Sequence, residues 1–321
     1  MQTSTGKRKK ENTMANIVIQ LQATAQQELH AHYAHSEVKR NAPGVIFAAK
    51  LNDAVITSYR SGKVMFQGAG AAQEAAKWGA PLQQAAPTAK GDTLPEGFAA
   101  MSVIGSDETG TGDYFGPITV AAVYVPRNKI ELVRELGVKD SKQLTDDYMR
   151  KIAPDLMHSL HYSLLVLRNE KYNDLQQKGY SQGKMKGVLH NQALTKLLAK
   201  IAPQQPEHIL IDQFAERGVY YNYVKGQPTI VTQNVLFSTK AENLHVSVAA
   251  ASIIARYAFL KEMDVLSQKV GMTLPKGAGA KVDSVAASIL RQQGEDVLRS
   301  VTKWHFANTN KAKALANLNA R

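Results

Sequence analysis

The chain has 321 residues, 44% hydrophobic and 21% charged, with a formal net charge of +12 and no cysteine. This length and balance fit a globular protein of two domains, or one domain with an appendage, and the missing cysteine excludes disulfides, thiolate catalysis and cysteine-bound zinc. The excess of Lys and Arg points to a polyanionic partner, nucleic acid before an anionic membrane, because no basic amphipathic helix stands out.

Residues 1–13, "MQTSTGKRKKENT", lack the apolar core of a signal peptide and are expected to form a disordered basic arm. No apolar run approaches the roughly 20 residues that span a bilayer, so no membrane partner is expected. From Met14 a compact pattern begins. "NIVIQLQ" alternates as a strand does, and "ATAQQELHAHYAHSEV" reads as a helix. "GVIFAAKL", "AVITSYRS" and "KVMFQG" read as three short strands, two of their turns marked by "LNDA" and "SGK", and "AAQEAAKW" as a closing helix. The expected order is β-α-β-β-β-α, an antiparallel sheet backed by helices. One sheet face would carry Lys50, Tyr59, Arg60 and Lys63, a basic and aromatic platform suited to nucleic acid and equally readable as a solvated face.

A stretch rich in proline and glycine, residues 80–98, reads as a linker. Beyond it "MSVIGSD", "PITVAAVYVP" and "HYSLLVLRN" predict three consecutive antiparallel strands. The helix "KMKGVLHNQALTKLLAKI" leads to a strand "EHILID", then a strand "TIVTQ", the long helix "HVSVAAASIIARYAFLKEMDVL" and a last helix near 282–298. The second domain is therefore a mixed α/β unit.

Acids stand where strands end or helices begin. Asp107 and Glu108 close "SVIGS", Asp212 closes "HILI", and Glu242 follows "FSTKA" at the opening of the long helix. Ligands collect at such strand ends in open sheets. Successive strand residues point to opposite faces, so Asp107 and Glu108 share a site only if the strand twists or stops, which the downstream glycines permit. Carboxylates without His or Cys suit Mg²⁺ or Mn²⁺, two of which can drive phosphodiester hydrolysis. Single acids at strand ends are also turn formers and helix caps. The loop "GTGDYFGP" can cradle phosphate through its N–H groups, but it lacks the Gly-Lys-Ser/Thr of a phosphate loop.

"GSDETGTGDYFGP" resembles the signature strand of the type 2 ribonucleases H, and its Gly-Thr-Gly resembles the HIII branch, where the HII branch has Gly-Arg-Gly. "KDSKQLTD", "GKMKGVLHNQAL", "LIDQF" and "KAENLHVSVAAASIIARYAFL" follow in the family's order, and residues 42–68 resemble its TATA-box-binding-protein-like domain. The resemblance covers Met14 to about residue 314. It implies an RNase H-like mixed-sheet catalytic domain over 99–314, preceded by a small α+β substrate-binding domain over 14–79. It implies an endoribonuclease that cleaves the RNA strand of RNA–DNA hybrids with Mg²⁺ or Mn²⁺, leaving 5′-phosphate and 3′-hydroxyl ends. Asp107, Glu108 and Asp212 carry over as catalytic metal ligands. Glu242 carries over as the fourth, where the HII branch has Lys-Ala-Asp, with Asp264 as the fallback.

Gly110, Thr111 and Gly112 would let backbone groups meet RNA 2′-hydroxyls, and Ser141, Lys142, Lys184 and Lys186 would hold phosphates, unless they are solvated surface. Ser181 departs from the Asn expected there. His190 and His245 are read as structural or substrate-facing. A cytoplasmic enzyme with no obligate protein partner is expected. Two rivals remain: a non-catalytic nucleic-acid-binding protein, to which convergent carboxylates would be useless, and a DNA nuclease or transposase-like enzyme on the same fold.

Overall fold

The computed structural model describes residues 16–40, 42, 44–79, 91–138 and 144–318. The expected arm at 1–13, and Ser141 and Lys142, lie outside the described residues. The chain divides after Thr88 into two units. Among the described residues no helix is long and apolar enough to cross a membrane.

The first unit has the predicted order: β1 (Asn16–Gln20), α1 (Ala23–Tyr33), β2 (Val45–Lys50), β3 (Val55–Tyr59), β4 (Lys63–Gln67) and α2 (Ala71–Ala76). Its sheet runs β1-β4-β3-β2, antiparallel throughout. Alternation sends Ile19, Val64, Phe66, Ile56 and Phe47 to one side, where they bury Leu29 and Tyr33 of α1. The same register sends Lys50, Tyr59 and Lys63 to the other side, since Lys50 pairs with Val55 and Lys63 with Gln20. Arg60 is the exception. It stands past the last paired residue of β3, with its N–H on the Gly44 carbonyl at 2.8 Å, so it belongs to the rim of that face. The first helix is shorter than its pattern. After Ser36 the chain turns back along β2, Val38 N–H bonding Ala48 O at 2.8 Å, and Arg40 reaches Thr57 Oγ1 at 2.7 Å.

The second unit is built on a five-stranded sheet of order β7-β6-β5-β8-β9. β5 (Val103–Thr109), β6 (Ile118–Val125) and β7 (His161–Leu167) form the expected antiparallel meander. β8 (His208–Asp212) and β9 (Val235–Ser238) add in parallel on the far side of β5. In chain order the helices are α3 (Ile130–Glu135), α4 (Asp146–Ser159), α5 (Asn169–Gln177), α6 (Gln182–Ile201), α7 (Arg217–Val224), α8 (Val246–Val270), α9 (Ala280–Gln293), α10 (Glu295–Val301) and α11 (Ala307–Leu318). α6 covers one sheet face, packing Leu194 and Leu197 on Ile104, Val120 and Ile209. α8 covers the other, packing Ile253 and Ile254 on Ala121 and Val123. The alanine-rich helix lies close to β5, since a side chain at Gly105 would overlap the backbone of Ser247 and Val248.

Three expectations shift. The strand read at "TIVTQ" lies instead at Val235–Ser238. Asn191 of α6 clasps the earlier segment, donating to Thr229 O at 2.7 Å and accepting from Val231 N at 2.9 Å, so a side chain satisfies the backbone there. The single helix read near 282–298 is two, α9 and α10, and α11 follows beyond it. Gly294 breaks the first two apart at φ 86° and ψ 176°, a region essentially reserved for glycine. Within the stretch read as a linker, residues 91–98 pack on the second unit: Gly91 bridges Ser238, Asp92 Oδ2 accepts from Phe237 N at 2.7 Å and from Arg217, and Phe98 is buried beside Val103 and Leu210.

Candidate active site

β5 does not stop at its acids. Asp107 still pairs with Ala121 and Glu108 with Val120, and the strand runs to Thr109. The two carboxylates therefore point to opposite faces, Asp107 toward Ser252 of α8 and Glu108 toward α6. They serve one place because of the neighbouring strand. Ser106 is the last β5 residue paired with β8, against Ile211, so the acids stand at the notch where β8 ends in Asp212. Glu242, whose charge acts on Asp212, comes from the single 3₁₀ turn Ala241–Asn243 after β9, not from the opening of α8, which starts four residues later at Val246.

The electrostatics divide the set. Burial, and then the charges of Glu108 and Asp212, push Asp107 well above the usual carboxylate range. Asp212 is also raised, by burial first, with the charges of Glu242 and Glu108 adding to it against a 2.9 Å hydrogen bond from Ala241 N. Glu108 goes the other way. Burial pushes it up, but His190 and Lys186 together outweigh burial and hold it below its ordinary value. Lys186 Nζ lies 2.9 Å from Oε1, and His190 Nε2 lies 3.0 Å from Oε2. Ser106 Oγ, 2.7 Å from His190 Nδ1, fixes the ring from behind, and Phe214 carries Lys186 Nζ 4.3 Å from its ring centre. The site thus contains one carboxylate held low by two cationic neighbours and two raised by burial and by neighbouring carboxylates.

Among the described residues no three His, Asp or Glu side chains are grouped so as to hold an ion by themselves. This does not exclude magnesium, which is usually bound by one or two carboxylates together with substrate phosphates and water. The donors are all hard oxygens, and a divalent cation would offset part of the burial and neighbouring charge that raise Asp107 and Asp212. Their chemistry suits such an ion when substrate phosphates and water complete its shell.

Gly110 begins the loop after β5. It has φ +94°, and a side chain there would overlap the Pro117 carbonyl. Gly112, by contrast, faces open space, and Thr111 O accepts from Gln182 Nε2 at 3.0 Å. Lys184 lies 4.2 Å over the Tyr180 ring. Ser181 caps α6 by accepting from Lys184 N at 3.1 Å, a task serine performs as well as asparagine, so this departure costs nothing locally. Asp264 is tied to Arg150 at 2.7 and 3.0 Å near the other end of α8, which removes it from the site. His245 is buried at the start of α8 and caps it. Lys50, Tyr59, Arg60 and Lys63 belong to the first unit. The pairing of Lys186 and His190 with Glu108 escapes the reading of the acids alone, although their i, i+4 spacing on one helix was a signal for it.

A mixed sheet of this order, with carboxylates at the ends of its parallel central strands, defines a nuclease of the ribonuclease H fold. The protein-family model described as Ribonuclease HII matches residues 104–309, and one described as a domain of unknown function, DUF3378, matches 16–91. A ribonuclease HIII of Lysinibacillus sphaericus is 65% identical over 307 residues, 94% of this chain and 100% of the relative. One of Bacillus licheniformis is 52% identical over 312 residues, 95% of this chain and 99% of the relative. The solved structure described as Bst-RNase HIII in complex with Mn²⁺ is 49% identical, with a TM-score of 0.68 over 95% of this chain and 100% of that one. The chain belongs to the ribonuclease HIII family. It is a ribonuclease H, an endonuclease of a family that acts on RNA–DNA hybrids.

Proposed function

We propose that this ribonuclease H cleaves the RNA strand of RNA–DNA hybrids through Asp107, Glu108, Asp212 and Glu242, which hold Mg²⁺ or Mn²⁺ together with the substrate phosphates. The observation that carries this is the contrast between Asp107 and Asp212, each raised by burial and neighbouring charge, and Glu108, held ionised by Lys186 and His190. Bound Mn²⁺ in the 49% identical relative agrees with that donor set. When bound, such ions supply an activated water and stabilise the leaving oxygen, which yields 5′-phosphate and 3′-hydroxyl ends.

The chain's own residues do the rest. Lys186 and His190 keep Glu108 charged and aimed. Gly110, Thr111 and Gly112 meet the RNA strand, where the 2′-hydroxyl distinguishes it from DNA. Lys184, with Ser141 and Lys142, holds backbone phosphates. Residues 14–79 bind the duplex through the face of Lys50, Tyr59 and Lys63, with Arg60 at its rim, and the catalytic domain follows. A chain without cysteine suits the reducing cytoplasm, where such hybrids arise.

Cleavage of a continuous hybrid, double-stranded RNA, double-stranded DNA and a duplex with one embedded ribonucleotide tests the reading. Rapid cleavage of the hybrid is expected, with poor incision at the lone ribonucleotide; comparable incision of both would overturn the substrate assignment. The fourth acid has its own test. Glu242→Gln should lower turnover by about a thousandfold, roughly 4 kcal/mol of transition-state stabilisation, while hybrid binding survives. Asp264→Asn should leave the rate nearly intact. Glu216, exposed at the entry to α7 four residues past Asp212, is the informative comparison. Loss of cleavage in Glu216→Gln with retention in Glu242→Gln would move the fourth ligand to the turn after β8.

A further inference from the structure

Lys303 is fully buried, with 0% of its surface exposed. It stands in the segment between α10 and α11, among the helices that close the second unit. Its bonds do not go to those helices. Nζ donates to Asp113 O at 2.8 Å and Gly116 O at 2.6 Å, and lies 3.4 Å from Pro117 O. Its backbone N–H donates to Tyr114 O at 2.8 Å. All four acceptors belong to the loop that begins at Gly110, directly beyond Asp107 and Glu108.

The loop is held by its own backbone and by donors from the starts of α5 and α6 and the segment before α11. Gly110 O accepts from Asp113 N at 3.3 Å, Thr111 O from Gln182, and Gly116 O from Asn169 Nδ2 at 2.9 Å as well as from Lys303. Six carbonyls, those of residues 110, 111, 113, 114, 116 and 117, are therefore turned onto protein donors. A polyanion approaching from outside meets few lone pairs. Burying an ammonium is expensive and persists only where acceptors converge on it. Burial pulls its pKa down to about 7, opposed by the Asp113 carboxylate, and both the ammonium and the neutral amine carry N–H groups for the loop carbonyls.

We infer that Lys303 is a positioning residue for the reaction: it clamps the Gly110–Pro117 loop from within and so sets the Gly110-Thr111-Gly112 backbone against the RNA strand. This rests on the reading that the loop meets the RNA. A neutral residue of the same length packs the same helices but leaves three loop carbonyls without their shared donor.

The test compares Lys303→Met in the full chain with Leu156→Ala, a cavity in the core between α4 and α8, whose cluster holds no residue of the loop. Two quantities are read well below both melting temperatures: amide hydrogen exchange over residues 110–117, and the ratio of affinities for an RNA–DNA hybrid and a DNA duplex of the same sequence. Lys303→Met should speed exchange in that loop at least tenfold and lower the ratio by a similar factor, while Leu156→Ala changes neither. Unchanged exchange in Lys303→Met overturns the clamp. Faster exchange with an unchanged ratio overturns the positioning role. If Lys303→Met does not fold, Asn169→Ala decides the matter. It removes one neutral donor at Gly116 O, so a smaller shift in the same direction is expected, and no shift overturns the proposal. Gly112→Ala separates this from the reading it rests on: the position has open space, so an unchanged ratio there removes the loop from RNA contact while leaving the clamp intact.

Discussion

His245 shows how one residue couples chemistry to stability. Its Nδ1 accepts from Ser247 N at 3.1 Å, and its Nε2 lies 3.1 Å from Met101 O. Only the neutral ring with its proton on Nε2 makes both bonds, so the cap of α8 requires an uncharged imidazole. Burial, opposed by the Met101 carbonyl, lowers its pKa to about 4. In that window the unfolded chain binds the proton and the folded chain does not. Stability is therefore complete above the unfolded pKa near 6.5 and falls as pH drops from there toward 4, by up to about 3 kcal/mol from this group. Urea unfolding at pH 7.5, 5.5 and 4.5 should show a shallower decline in His245→Asn, which can cap but cannot titrate. Equal declines in both chains would remove His245 from the acid response. In the sequence this histidine stands out only as a histidine before a helix; its partner Met101 is remote in sequence and invisible to local pattern.

Among the elements, β5 and α8 determine where the acids stand, and their contact depends on Gly105. Gly105→Ala should push α8 off the strand and destabilise the second unit by about 1–3 kcal/mol, lowering the melting temperature by a few degrees, as calorimetry would show. An unchanged melting temperature would mean that α8 yields freely. Elements with strong local patterning were legible in advance: the meander from its apolar runs, α8 from its length, the first unit from alternation and turn residues. The acid pair was legible because it terminates an apolar run. What escaped depends on distant partners. "TIVTQ" has strand-like residues, yet Asn191 satisfies its backbone groups from another element. The notch that unites Asp107 with Glu108 arises because β8 is shorter than β5 at that end, which neither strand's own sequence reveals.

The whole chain carries +12, and part of that charge lies on the open sheet face of the first unit. If Lys50 and Lys63 touch phosphates, Lys50→Glu with Lys63→Glu should raise KM for the hybrid with little change in turnover. It should also flatten the log–log salt dependence by about 0.9 per lost contact, a value for B-form DNA that a hybrid will alter somewhat. An unchanged KM and slope would take that face out of hybrid binding. The sheet order of the second unit bears on how the enzyme is born. β5 emerges from the ribosome early and pairs at once with β6 and β7, but its other edge waits for β8, which follows α3 to α6. Pairings so distant in sequence close slowly and leave an open edge meanwhile. Asp107 and Glu108 are thus made long before Asp212 and Glu242; if the four act together as proposed, the site is completed only when the second half of the sheet has been synthesised.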